Sequence, residues 1–207
     1  MLPALCIALL GLNGPSRDEP PQKPAAPAEK VAPRPADSDA PLAEGWPDAT
    51  KPGKVEVKTY PAYRSAVARA KGASTPADNV LFWPLFNHIS RKGIEMTTPV
   101  RIDAAATGGQ PEIAMRFSLP VKVAGNPPAP IDPRVRIVTV PPSTVAALRY
   151  SGNPTEAARS AHQQDLFRRL VSTGWQPAGT PYALNYDPPF AVPFLKRNEV
   201  VVEVSRR

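Results

Sequence analysis

The spacing of apolar residues changes along the chain, and the changes mark out elements. From Val55 to Ala70, Val and Tyr alternate with polar residues, the period of two of a half-buried strand, with an interruption near Pro61. Between Asp78 and Lys92 the period becomes helical: Leu81, Phe82, Leu85, Phe86 and Ile89 fall at i, i+1, i+4, i+5 and i+8. Pro84 lies inside this stripe, so the helix is expected to start close to Phe82 or to bend there. Strands are expected at Thr97 to Asp103 and at Glu112 to Leu119, the second with Ile113, Met115, Phe117 and Leu119 on one face. The same order then returns. Strand residues run from Arg134 to Tyr150 around Pro141 and Pro142. A helix follows, with Asn153 as N-cap, Pro154 as first residue and Gly174 as terminator. Leu166, Phe167, Leu170 and Val171 form its apolar face, and short strands near Tyr182 to Tyr186 and Glu199 to Val204 close the series.

The return is visible residue by residue. Val55, Val57, Thr59 and Pro61 answer to Val135, Ile137, Thr139 and Pro141. Leu85-Phe86 answers to Leu166-Phe167, Gly93 to Gly174, and the run from Glu112 to that from Glu199. Four matched blocks in one order predict two βαββ halves related by a pseudo-twofold axis, in an α+β domain with its helices on one side of a largely antiparallel sheet. The expected binding groove lies where the halves meet.

Composition separates this domain from what precedes it. Ten of the 29 prolines lie between Pro15 and Pro52, among Ala, Asp, Glu and Lys and with almost no large apolar side chains. Such a stretch cannot bury enough surface to offset its ordering entropy, so residues 13–53 are expected to form a disordered, Pro-stiffened linker and the domain to span 54–207. Residues 1–12 contain an apolar run, Leu2 to Leu12, about half the roughly twenty residues needed to span a bilayer. It reads as a signal-like or anchor segment, implying an exported, periplasmic or extracellular protein with possible N-terminal membrane association. The single cysteine, Cys6, leaves lipidation open, and its position excludes an internal disulfide or a thiolate metal site from the domain. The chain's net charge is +7, and the excess belongs to residues 54–207, where 20 Lys and Arg against 11 Asp and Glu give +9. That excess suits an anionic ligand or surface, or simply solubility.

Hydrolase, metalloprotease, phosphate-loop and dinucleotide motifs are missing, so no catalytic residues are assigned and an enzyme is not expected. The basic residues are scattered without an aromatic stacking motif, which argues against nucleic acid.

The stretch LFWPLFNHISRKGIEMTTPV, Leu81 to Val100, carries a resemblance to a known family. With Glu112 to Pro120, the Pro-rich loop Pro127 to Pro130 and the ending Tyr186 to Val200, it resembles the SOUL heme-binding proteins in colinear order from Lys54 to Val204. The resemblance implies a distorted antiparallel β-barrel flanked by two helices, and non-catalytic, non-covalent binding of heme or other tetrapyrroles by a carrier, buffer or scavenger. A monomer is expected. Carried over, Leu85, Ile89, Met96 and Val100 would make the apolar contact, and Arg91 or Lys92 would meet a ligand carboxylate. Helix periodicity alone favours reading Leu85 and Ile89 as ordinary core. Heme iron takes His, Met, Tyr or Cys, and the domain's two histidines, His88 and alternatively His162, sit at the edges of the two apolar stripes. Both also read as boundary histidines, and the family keeps no invariant axial histidine. Two rival readings stay open. One is a hydrophobic-cation module like the gyrase-inhibitor-like effector domains, favoured by an acidic residue in the groove; the other is an enzyme on tetrapyrroles using Glu112 or His88.

Overall fold

A computed structural model describes residues 40–71, 77–107 and 110–207, which belong to one compact unit. Strands β1 (Val55–Tyr60) and β2 (Tyr63–Lys71) divide the first alternating run at Pro61, whose missing N–H cannot serve a ladder. Helix α1 (Ala77–Arg91) follows, then β3 (Val100–Thr107), β4 (Gln110–Ser118) and a single turn, α2 (Val121–Ala124). The second series comprises β5 (Val135–Val140), β6 (Ser143–Tyr150), α3 (Glu156–Leu170), β7 (Trp175–Pro177), β8 (Tyr182–Asn185) and β9 (Asn198–Arg206). No helix among the described residues is long and apolar enough to cross a membrane.

Local expectation and structure part at the helix ends. Helix α1 begins at Ala77 and continues through Pro84 without a break. Burial of Leu81, Leu85 and Ile89, each at most 2 % exposed, outweighs the one helical hydrogen bond that proline forfeits. The cap of α3 is Thr155, whose hydroxyl accepts from the Ala158 amide at 3.2 Å, while the Asn153 side chain is drawn away to accept from Lys196 Nζ at 3.1 Å. At its far end the Thr173 hydroxyl donates to the Leu170 carbonyl at 2.8 Å and stops the helix before Gly174. Val171, expected on the apolar face, is 66 % exposed.

All strand pairs are antiparallel and form one sheet of nine strands in the order β1-β6-β9-β8-β3-β4-β2-β5, with β7 on the end of β9. Exchanging β1 with β5, β2 with β6, β3 with β8 and β4 with β9 returns the same order reversed. The ladder is open: β1 and β5 are its ends and do not pair, so the expected barrel is corrected to an open sheet. The two long helices lie on one face. Helix α1 packs on a cluster containing Ala66, Phe117, Ile102 and Ala183; α3 packs on Leu148, Val200 and Val202. Ala183 sits opposite Val200 in the ladder, which places both clusters on the same side.

The alternate side chains face the other way, and there the packing extends N-terminal of Lys54. Leu42 bridges to Thr98, and the Ala43 amide donates to the Thr98 carbonyl at 2.8 Å. Trp46, 7 % exposed, stacks on Tyr60 at 4.6 Å and meets Tyr63 edge-on at 5.0 Å. Residues 40–53 therefore form a strap over the helix-free face, joined to Val145, Ala147, Leu184 and Val201. The remainder of the expected linker and the N-terminal apolar run lie outside the described residues. Replacing Trp46 with Ala should cost about 3 kcal/mol of unfolding free energy in urea titrations, as large-to-small changes in cores do; a loss below about 1 kcal/mol would show the strap to be unimportant for stability.

Candidate functional site

Glu199 is the acidic centre of the helix-free face, and it has no exposed surface. It accepts from the Thr50 amide of the strap, from Lys58 Nζ at 3.3 Å and from the Tyr186 hydroxyl at 2.8 Å; Lys58 also donates to the Asp48 carbonyl at 2.7 Å. The Tyr60 and Tyr186 phenols are pushed far up, first by burial and then by the Glu199 charge, and stay neutral. This carboxylate is thus paired, hydrogen-bonded and covered. On the other half of the same face Arg101 and Arg116 share Asp103, at 2.7 and 2.5 Å, and Arg101 lies 3.7 Å over the Tyr182 ring. Glu112 is ion-paired to Arg69 at 2.7 Å.

The residues expected to hold a ligand are distributed unevenly. Leu85 is 0 % and Ile89 2 % exposed, inside the cluster beneath α1, where they act as core and present no ligand surface in this structure. Met96 and Val100 are half-buried at the margin of that cluster, and Arg91 and Lys92 are exposed at the end of α1. His88 is 1 % exposed with neither ring nitrogen hydrogen-bonded, and burial, assisted by Lys92, lowers its pKa. With so little of its surface exposed, it does not fit as an axial ligand in this structure. His162 is half-buried, stacked on Tyr150 at 4.3 Å, and lines a recess of about 310 Å³. Among the described residues no cluster of three His, Cys, Asp or Glu side chains is arranged to hold a metal ion.

The surface that sequence periodicity missed is the connection from β8 to β9. Residues 188–195 carry no polar side chain, and Phe190 (86 %), Phe194 (75 %), Leu195 (57 %) and Val192 (47 %) are strongly exposed. The loop is nevertheless pinned. Arg197 and Asp187 form an ion pair at 2.6 Å, the buried Lys196 ammonium donates to the Pro189 carbonyl at 2.7 Å, and the Gly152 amide donates to the Pro193 carbonyl at 2.9 Å. It departs from Asn185, the residue paired with Val100, so the chain from Met96 to Val100 enters the sheet beside the loop's root. Exposed apolar surface of this kind, held in place without a partner, marks a binding site more often than an accident of folding. It suits the body of a flat apolar macrocycle, whereas the sealed surroundings of His88 do not suit its iron.

An open antiparallel sheet with both long helices on one face is a fold shared with solved structures of low sequence identity. The C-terminal domain of EcmrR superposes with a TM-score of 0.58 at 13 % identity, covering 74 % of this chain and 98 % of that one. A hydrolase from Listeria innocua gives 0.53 at 12 %, covering 75 % and 94 %. These likenesses concern the fold alone. The chain belongs to the SOUL heme-binding protein family, whose sequence model matches residues 48–203. It is similar to Heme-binding protein 1 of Mus musculus, 33 % identical over 112 residues, and to that of Bos taurus, 29 % over 111 residues. In both cases 52 % of this chain aligns, and the chain spans little more than half, 58 %, of these relatives' length.

His88 makes stability depend on pH. Its folded-state pKa is lowered, while the unfolded chain takes up a proton near pH 6.5. Below that pH the unfolded state binds more protons, and stability falls as pH drops. Urea unfolding at pH 7.5 and 5.5 should show a larger loss for the native protein than for His88→Leu; equal losses would mean that His88 does not titrate in this way.

Proposed function

We propose that this protein binds heme, or another tetrapyrrole bearing carboxylates, non-covalently and without turnover, as a carrier, buffer or scavenger. The observation that carries this reading is the pinned, uncharged stretch from Pro188 to Leu195 with its four exposed large apolar side chains, in a chain of the SOUL family. Phe190 and Phe194 contribute the apolar contact, with Met96 and Val100 at the loop's root. Arg91 and Lys92, exposed at the end of α1, receive the carboxylates. When bound, heme supplies the iron and the conjugated ring; this chain supplies burial and charge. His162 is the histidine with surface available to a ligand, and binding without strong axial ligation is equally consistent with the sealed His88.

The reversible strand order and the matched sequence blocks support descent of the two halves from one duplicated βαββ unit. The apolar run Leu2 to Leu12 supports a place of action outside the cytoplasm. The hydrophobic-cation reading needs an acidic side chain open to ligand, and Glu199 is committed to Lys58, Tyr186 and Thr50. Catalysis through His88 or Glu112 is disfavoured by the burial of the first and the pairing of the second.

Titration of the full chain with heme should give a saturable Soret change. The double variant Phe190→Ser, Phe194→Ser should weaken binding at least about tenfold, since each ring is worth roughly 1.5–3 kcal/mol when buried. Arg91→Gln with Lys92→Gln should weaken it severalfold, and most at low salt. His88→Leu should leave the Soret position unchanged. Absence of a saturable change, or undiminished affinity in the double phenylalanine variant, would overturn the proposal.

A further inference from the structure

The two long helices pack on one face of the sheet in corresponding places, but they present different surfaces to solvent. Aligning Leu85-Phe86 with Leu166-Phe167 sets Val80 against Ala161, Phe82 against Gln163, Trp83 against Gln164 and Ile89 against Leu170. The environments match as the positions do. Leu85, Leu166, Ile89 and Leu170 are buried, Phe82 and Gln163 are half-buried, and Val80, Ala161, Trp83 and Gln164 are exposed. Because α3 packs on this sheet with Ala161, Gln163 and Gln164, packing does not call for apolar residues at these positions. Helix α1 carries them all the same, with Trp83 55 % and Val80 42 % exposed.

These side chains form one ordered patch. Val80, Trp83 and Phe86 follow one another at a spacing of three, which makes them neighbours along the helix surface. The Trp83 ring meets Phe86 edge-on at 5.9 Å and Phe82 at 5.7 Å, Phe82 stacks on Phe86 at 5.4 Å, and Phe82 reaches the buried Phe117 at 5.5 Å. The exposed indole is therefore backed by two half-buried rings rooted in the core. A patch built in this way points to something that covers it.

Charge and chain length indicate what that is. No acidic residue occurs between Asp78 and Glu95, and the helix ends in the exposed Arg91 and Lys92. Helix α3 differs again, with Glu156 in its first turn and Asp165 paired to Arg168 and Arg169. An aromatic stripe beside cations and free of anions is the composition of a helix that lies in a bilayer interface, where indole rings settle at head-group level and Lys and Arg meet anionic lipid. The apolar run Leu2 to Leu12 points the same way: as an export signal or as an anchor, it takes the chain to a bilayer. Between that run and Ala40 lie 27 residues, enough to span up to about 90 Å, so attachment there leaves α1 free to reach the same surface.

We propose that the outer stripe of α1 docks this domain on an anionic lipid surface, with Trp83 and Val80 seated in the interface and Arg91 and Lys92 beside the head groups. The surface does not rest on the tetrapyrrole reading. It shares Arg91 and Lys92 with that site but not the Phe190 and Phe194 contact.

The test is flotation of the full chain with vesicles of phosphatidylglycerol and phosphatidylcholine in equal parts, and with phosphatidylcholine alone. Binding to the anionic vesicles is expected, weaker by about fivefold or more on the neutral ones and falling with salt. The double variant Val80→Ala, Trp83→Gln writes the α3 residues into α1 at solvent-facing positions, so its urea midpoint should match that of the native protein. It should bind anionic vesicles at least about fivefold more weakly, and Trp83→Phe should keep most of the binding. Brominated lipid should quench the native tryptophan emission, and that quenching should disappear in the double variant although Trp46 and Trp175 remain. Undiminished binding of the double variant would place attachment in the N-terminal run and overturn the proposal, as would binding that ignores lipid charge. Self-association of the native chain that the double variant lacks would give the patch to a second copy instead, and a loss of heme affinity in that variant would give it to the tetrapyrrole. Full heme binding by a variant that no longer floats separates the two sites.

Discussion

The pairing of Glu199 ties together three separate parts of the chain. A carboxylate with no exposed surface needs both a counter-charge and hydrogen bonds. Lys58 comes from the edge strand β1, the Tyr186 hydroxyl from the end of β8 and the Thr50 amide from the strap. Lys58 then reaches the Asp48 carbonyl, so the strap is tied twice. With that knot in place Trp46 lies against Tyr60 and Tyr63, and the helix-free face of β1, β6, β9 and β8 is filled by the protein's own side chains.

That filling decides where ligands can go. One face of the sheet is covered by α1 and α3, and much of the other by the strap, so accessible sites are left at the ends and edges of the strands. The β8–β9 connection gathers exposed apolar surface at one such place, and the solvent side of α1 carries a second apolar patch. The two arise differently. The first is built from a stretch without polar side chains, stiffened by prolines that have no amide to satisfy. The second is a helix stripe whose counterpart in α3 is largely polar.

Individual residues show how far sequence reasoning reaches. Leu85 and Ile89 carry the same periodicity whether they face a core or a ligand, and their complete burial came from packing against Phe117 and Ile102. His88 was legible as a residue at the edge of a stripe, but its seal was not. Trp46 stands in a stretch whose composition argues against folding; its signal was a lone large aromatic among prolines, and what it required was Tyr60 to stack on. Phe190 and Phe194 entered the sequence reading only within the Tyr186 to Val200 run, because exposure leaves no mark on a sequence. Asn153 and Thr155 are both good caps, and the choice between them was made by Lys196, more than forty residues away in the chain.

Periodicity and punctuation are local properties, set by backbone sterics over a few residues, and by themselves they determined where the two long helices and most of the strands lie and which residues form most of their apolar stripes. The family resemblance was legible for the same reason, in contiguous runs such as Leu81 to Val100. Only the tertiary structure decided the strand neighbours, the open edges at β1 and β5, and which apolar side chains were buried and which left in solvent. Those outcomes rest on pairs such as Val55 with Leu148 and Lys58 with Glu199, which are far apart along the chain and become neighbours only when the entire sheet has formed.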